Sequence, residues 1–337
     1  MRIAIVNDLQ IAVQALQRAL ESRPQHQVAW VARDGARAIA LCARDLPDLI
    51  LMDLVMPGVD GVQATKLIME NTPCPILIVT SSVDSRTTAV FEAMGHGAID
   101  AVDTPILGNS DPAGSATPFL NKIDALAKLI GMRQFVPAQA SFGETWVLGK
   151  RERIVAIGSS AGGPMALRAV LSGLPKTFPA AIVLIQHVDE QFAPGMAEWL
   201  SGRSQLPVKV AREGDRPAAG TALLAGTNDH LVFKSSARLG YSGEPREISY
   251  RPSVDVFFES LTELWLGDAV GVLLTGMGRD GALGLKKMRN KGHYTIAQDE
   301  ATSAVYGMPK AAATLGAAVD ILPVDRIAQR LIEIFSN

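Results

Sequence analysis

The sequence predicts an α/β protein of two successive units, each organised on a largely parallel sheet. Three observations carry this. Apolar runs of strand length alternate with amphipathic stretches at helical spacing along most of the chain. One segment, residues 131–150, lacks clear periodicity and interrupts the alternation. The length, 337 residues, suits two domains of ordinary size. The expected division is therefore 1–130, a linker at 131–150, and 151–337.

In the first unit RIAIV, QVAWVA, DLILMD and PILIVTS read as strands, and AVQALQRALES and GARAIALCARD as helices. LGNSDPAGSATP is rich in Gly, Ser and Pro and reads as a loop, before a closing helix FLNKIDALAKLI at 119–130. In the second unit the strands are RIVAIG, AAIVLIQH, PVKVA, TALLAG, HLVF, AVGVLLTG, YTIAQD and AAVDIL. MALRAVLSGL, VDVFFESLTELW and ALGLKKMRNKG are helices. Residues 205–250 hold short strands and polar turns without a helix, which suggests an antiparallel excursion. No fixed-period repeat is present.

The chain is 48% hydrophobic and 20% charged, the composition of a soluble globular protein. A net charge of −2 gives no global attraction to nucleic acid or to a membrane surface. No stretch approaches the roughly 18–20 apolar residues of a spanning helix. The start, MRIAIVNDLQ, has too short an apolar run for a signal peptide. Cys42 and Cys74 lie in apolar contexts, so neither a disulfide framework nor a zinc site is expected, and a reducing cytoplasm fits.

Polar residues end several strands of the first unit: Asn7-Asp8 after RIAIV, Asp53 after DLILM and Thr80 after PILIV. In a doubly wound sheet such positions converge on one crevice. Two carboxylates and a hydroxyl there suit Mg²⁺, beside which an aspartate accepts a phosphoryl group. The competing reading is that the acids cap the helices that follow.

In the second unit Gly158-Ser159-Ser160-Ala161-Gly162 fits G-x-S-x-G between a strand and a helix that has Pro164 in its first turn. That context presents Ser160 outward beside a helix N-terminus, and leaves Ser159 on the strand side. The competing reading is a structural or phosphate-cradling glycine turn. A serine needs a base, and His187 closes an apolar strand on the same sheet edge, whereas His230 opens a strand. Asp280, in TGMGRDG after a third strand, is the candidate orienting acid. The backbone amide of Met277 lies in the same glycine-flanked loop. The order Ser…His…Asp differs from that of α/β-hydrolases.

These motifs carry a resemblance. Residues 1–130, with DLVMPGVDG, resemble a doubly wound (βα)5 response-regulator receiver domain. The resemblance implies metal binding at Asp8 and Asp53, phosphorylation of Asp53 and a switch hydroxyl at Thr80, with Mg²⁺ as the ion. Asn7 stands where receivers usually carry a second acid, Thr104 where they carry lysine, and Ala101 at the aromatic switch position. IGSSAGG, QH, TGMGRDG and AQDEATSAVYGMPKAA resemble the CheB family of protein-glutamate methylesterases, over essentially the whole chain. That resemblance implies Ser160 as nucleophile, His187 as base, Asp280 as orienting acid, and Met277 and Ala161 lining the oxyanion hole, with no catalytic cofactor. The family often has threonine where Ala161 stands. Arg251, Ser253 and Met308 are expected near the substrate, because RPSVD and YGMPK are family-like.

The implied substrate is a methylated chemoreceptor cytoplasmic domain, and the implied phosphodonor a CheA-type histidine kinase. In the family the unphosphorylated receiver covers the esterase cleft. Glutamine deamidation by the same route is a further family activity. The IVND start, FEAMGHGA and the missing lysine most resemble the methylesterases of Wsp surface-sensing pathways. Two other readings stand beside this one: a docking regulator with a vestigial esterase, and a receiver joined to a DNA-binding domain. The second lacks a basic recognition helix in 151–337. A secreted lipase-like hydrolase is disfavoured by the absent signal.

Overall fold

The computed structural model describes residues 1–80, 87–105, 112–130, 152–248 and 250–336. The chain divides into two compact units, Met1–Gln134 and Phe135–Asn337. The division falls inside the segment read as a linker, whose residues 131–150 lie outside the described ones.

The first unit runs β1 (Arg2–Val6), α1 (Gln10–Glu21), β2 (Gln27–Ala32), α2 (Gly35–Arg44), β3 (Leu49–Met52), α3 (Gly61–Asn71), β4 (Ile76–Thr80), α4 (Thr87–Gly95), β5 (Asp100–Asp103) and α5 (Pro112–Ile130). Its strands are parallel in the order β2-β1-β3-β4-β5. LILM of β3 and ILIVT of β4 are buried throughout, as strands covered on both faces must be. The order reverses between β1 and β3, so the residues after those two strands open on one crevice. Asp34 and Asp60 cap α2 and α3 by accepting from Arg37 N and Gln63 N. Asp8 and Asp53 are not such caps: α1 has no side-chain cap, and Asp53 Oδ1 accepts from Leu54 N. The loop expected at LGNSDPAGSATP is corrected, because α5 already starts at Pro112. Proline suits a first turn, where its missing N–H costs nothing, and Gly, Ser and Ala there do not stop a helix whose later turns are anchored by buried Phe119, Leu120 and Ile123.

The second unit runs β6 (Arg153–Ser159), α6 (Gly163–Ser172), β7 (Ala181–Gln186), α7 (Ala193–Ser201), β8 (Val208–Val210), β9 (Ala222–Leu224), β10 (His230–Ser235), β11 (Arg238–Ser242), α8 (Val254–Leu264), β12 (Asp268–Leu273), α9 (Ala282–Asn290), β13 (Tyr294–Gln298), α10 (Met308–Thr314), β14 (Asp320–Leu322) and α11 (Val324–Ser336). Seven strands form one parallel sheet, β14-β13-β12-β6-β7-β9-β8. Among the described residues the antiparallel excursion is the hairpin β10–β11 alone. The chain starts at the sheet centre, builds outward through β7, then returns to add β12 on the other side of β6. The crevice therefore opens at the carboxyl ends of β6 and β12.

Helices α7, α10 and α11 were not read from the sequence. In α11 the buried Ile327, Leu331, Ile334 and Phe335 recur at helical spacing, so that signal was present. Helix α8 buries Val254, Phe257, Phe258 and Leu261. Phe233 of β10 packs between Phe257 (5.8 Å between ring centroids) and Trp265 (5.6 Å). Burial of each such ring stabilises by about 2–3 kcal/mol, which seats α8 against the hairpin. Among the described residues no helix is long and apolar enough to cross a membrane, and both cysteines are free and buried.

Gly158 lies where this seating is tightest: a Cβ there would overlap Val254 Cγ1 at the first turn of α8. Gly158→Ala is expected to destabilise the second unit by about 1–3 kcal/mol. A thermal melt in which the transition of the first unit stays in place and that of the second falls checks this.

Candidate active site

Ser160 follows β6 and His187 follows β7. The strands pair Ser159 with Gln186, and His187 N donates to Ser159 O (3.1 Å), so Ser160 and His187 leave the same sheet edge side by side. The turn at Ser160 needs Gly162 in the left-handed region (φ 76°), where α6 begins. It also needs Gly163, because a Cβ there would overlap Gln186 Oε1. Ser159, as expected, is turned inward: its hydroxyl donates to Gln186 Oε1 (2.7 Å) and is fully buried. Ser160 makes no side-chain hydrogen bond among the described residues, while its N–H donates to Thr275 O (3.0 Å).

Three residues missed in the sequence tie the loops together. The Gln186 amide donates to Ser160 O (2.9 Å) and to His187 O (3.1 Å). Thr275, after β12, donates its hydroxyl to Ala161 O (2.9 Å) and accepts from Val305 N (2.9 Å). Gln298 accepts from Thr275 N (2.8 Å). The signal for the two glutamines was a polar residue at the end of an otherwise apolar strand, which must find partners when buried.

Asp280 meets His187 as expected: Oδ2 lies 2.8 Å from His187 Nε2. It is held at the N-terminus of α8. Val254 N donates to Oδ2 (2.7 Å), Asp255 N to Oδ1 (3.1 Å), and the Ser253 hydroxyl to Oδ1 (2.8 Å). Burial works against the charged carboxyl, but the His187 hydrogen bond and charge and these N–H groups outweigh it, so Asp280 sits below the usual carboxylate range. A carboxylate only accepts, so the proton on Nε2 belongs to His187 and Nδ1 is the nitrogen left as base. Tyr250 stacks on the His187 ring, with centroids 4.7 Å apart and planes 2° apart.

The N–H groups of Ala161 and Met277, expected to line an oxyanion hole, make no hydrogen bond among the described residues. The Met277 loop is braced from behind. Gly276 O accepts from Gly307 N (3.0 Å) and Met308 N (2.9 Å), and Met308 is fully buried against Gly276. Two expected substrate contacts are thereby corrected. Met308 and Ser253 have no exposed surface to offer, because one props the Met277 loop and the other binds Asp280. Arg251 remains exposed, 3.9 Å from Asp229.

In the first unit Asn7 and Asp53 are brought together: Asn7 Nδ2 donates to Asp53 Oδ2 (3.1 Å). Asp8 is half-buried at the end of β1, and Thr80 is fully buried at the end of β4. Thr104 N donates to Thr80 O (2.9 Å), which puts position 104 on the same edge. Lys122 is held elsewhere, by Asp100 (2.8 Å).

Residues 155–331 match the CheB methylesterase family, and residues 3–109 match the response regulator receiver domain. The chain belongs to the CheB methylesterase family. Among relatives, a Burkholderia thailandensis protein named protein-glutamate methylesterase/protein-glutamine glutaminase 4 is 58% identical over 334 residues, covering 99% of this chain and 97% of that protein. A Pseudomonas aeruginosa protein of the same name, numbered 3, is 56% identical over 341 residues, covering 99% and 100%. Among solved structures, the Thermotoga maritima CheB methylesterase catalytic domain is 36% identical with a TM-score of 0.53, covering 54% of this chain and 98% of that one.

Asp255, also missed in the sequence, lies beside Asp280 and accepts from Gly284 N (2.7 Å). Burial, with the Asp280 charge adding, pushes its carboxyl up to about 6. The folded state thus holds this proton more tightly than the unfolded chain, whose carboxyl titrates near 4. Its contribution to stability is present below about pH 4 and is lost as pH rises to about 6. Asp255→Asn should remove that fall, read as the difference between the two proteins' melting temperatures from pH 4 to 7.

Proposed function

We propose that this protein is a phosphorylation-regulated protein-glutamate methylesterase acting on a methylated chemoreceptor cytoplasmic domain. The observation that carries the reading is the His187–Asp280 pair, fixed at the α8 N-terminus and set beside Ser160 at the sheet's switch point. Ser160 Oγ attacks the ester carbonyl of a methylated glutamate while His187 Nδ1 takes its proton. Ala161 and Met277 N–H groups hold the oxyanion. His187 returns the proton to the leaving methoxide, methanol departs, and water releases the acyl group as free glutamate. With a glutamine substrate the same steps release ammonia. Exposed Arg251 and Arg279 flank the site and suit an acidic helical surface.

Regulation is proposed through Asp53, phosphorylated by a CheA-type histidine kinase in the cytoplasm. The Asp8 and Asp53 carboxylates, after β1 and β3 at one crevice, would supply oxygen donors of the kind Mg²⁺ takes, one or two carboxylates and otherwise water. No cluster of three or more His, Cys, Asp or Glu is present among the described residues, so the set is sparse. When bound, Mg²⁺ would offset charge on the transferring phosphoryl oxygens. Asn7 donates to Asp53 and adds no charge of its own. The finer placement in a Wsp-type pathway rests on the IVND start, FEAMGHGA and Thr104.

Methanol release from a methylated receptor fragment, with and without a small phosphodonor and Mg²⁺, tests this. Ser160→Ala should lower kcat by about 10³-fold or more. Loss of less than tenfold would remove Ser160 as the nucleophile. Asn7→Asp should tighten Mg²⁺ binding by about tenfold, measured by Asp53 phosphorylation against Mg²⁺ concentration.

A further inference from the structure

Outside the Ser160–His187–Asp280 set, one buried titratable group near the site has no role yet. His230, the first residue of β10, is fully buried with both ring nitrogens engaged. Ser253 N lies 3.1 Å from Nδ1, and Pro245 O lies 3.2 Å from Nε2. Both partners have fixed roles, since a backbone N–H only donates and a carbonyl only accepts. The His230 proton therefore sits on Nε2 and the ring is neutral. Burial favours that neutral form, and Arg251 favours it too, while the Pro245 carbonyl and the charges of Asp280 and Asp229 oppose it.

The residue that His230 holds is one of those that fix Asp280. Ser253 caps α8 and donates its hydroxyl to Asp280. The strap 250–253 leading into α8 also carries Tyr250, stacked on His187. The strap thus touches both base and acid on one side, and rests on His230 on the other. Two direct contacts reach His187 and Asp280 from four consecutive residues, and behind them the Ser253 N–H is held by a ring nitrogen of His230.

Resting on the esterase reading, we propose that His230 is a positioning residue of the reaction: its neutral, Nε2-protonated ring pins Ser253 and so holds Asp280 and Tyr250 against His187. A second proton on His230 would set an N–H against the Ser253 N–H and release the strap. Protonation of His230, which burial holds to lower pH than an ordinary imidazole, then adds a second proton to the acid-side loss of activity.

The full-length protein and two substitutions of matched polarity test this. In His230→Asn the side-chain oxygen takes the place of Nδ1 and still accepts from Ser253. In His230→Gln the amide reaches toward Pro245 and nothing accepts at the Nδ1 position. The Gln variant should lose about three- to tenfold in kcat with KM within twofold, the worth of one hydrogen bond. The Asn variant should recover most of that loss. Its acid limb should keep a slope of one in log(kcat/KM) against pH, where the parent protein steepens toward two. Nuclear magnetic resonance of ¹⁵N-histidine, with His187→Gln to assign the signal, should show the His187 titration displaced in the Gln variant and retained in the Asn variant. Equal kcat and equal His187 titration in the two variants would overturn the proposal. If the parent releases no methanol in a Ser160-dependent way, the esterase reading fails, and the His187 titration still decides the role of His230.

Discussion

The site depends on one buried carboxylate, Asp280, kept ionised at the end of a helix. Removing a carboxylate from water costs several kcal/mol unless its oxygens are well paired. Here two backbone N–H groups, the Ser253 hydroxyl and His187 Nε2 pair them. The N-terminal end of α8 adds a favourable dipole. This arrangement fixes the His187 tautomer, with the proton on Nε2 and Nδ1 left to accept. It also explains the bulk of apolar packing beneath α8. The Phe233, Phe257 and Trp265 cluster holds the helix that holds the acid.

The two units apply one geometric rule to different chemistry. A parallel sheet whose strand order reverses leaves a crevice at the strand ends, and side chains from distant sequence positions meet there. In the first unit the meeting residues are Asn7 and Asp53. In the second they are Ser160, His187 and Asp280, with Gln186 and Thr275 as the braces between loops. Oxygen-rich side chains suit phosphoryl chemistry, while a hydroxyl beside an imidazole suits acyl transfer. In the first crevice the Asp53 carboxylate stands beside the Asn7 amide. Asn7 occupies a position where an acid would repel Asp53, and instead donates a hydrogen bond to it. Position 104, a threonine, lies at the same edge and brings no charge.

Sequence alone determined the α/β alternation, nearly every strand, the strand–turn–helix around Ser160 and the choice of His187 and Asp280. These are local properties: period, burial-type composition and glycine placement follow from a few neighbouring residues. The start of α5 was misread because Gly, Ser and Pro favour loops on average, whereas apolar anchors further along the helix decided its first turn. Tertiary structure decided which side chains face the site. Ser253 and Met308 occupy family-like motifs beside the active loops, yet both point inward to brace them. Gln186, Thr275, Asp255 and His230 gained roles through partners 15 or more residues away, such as Asp280 beside Asp255 and Pro245 beside His230. A hydrogen bond between distant segments leaves no periodic trace in the sequence, because its geometry exists only after the sheet and helices have packed.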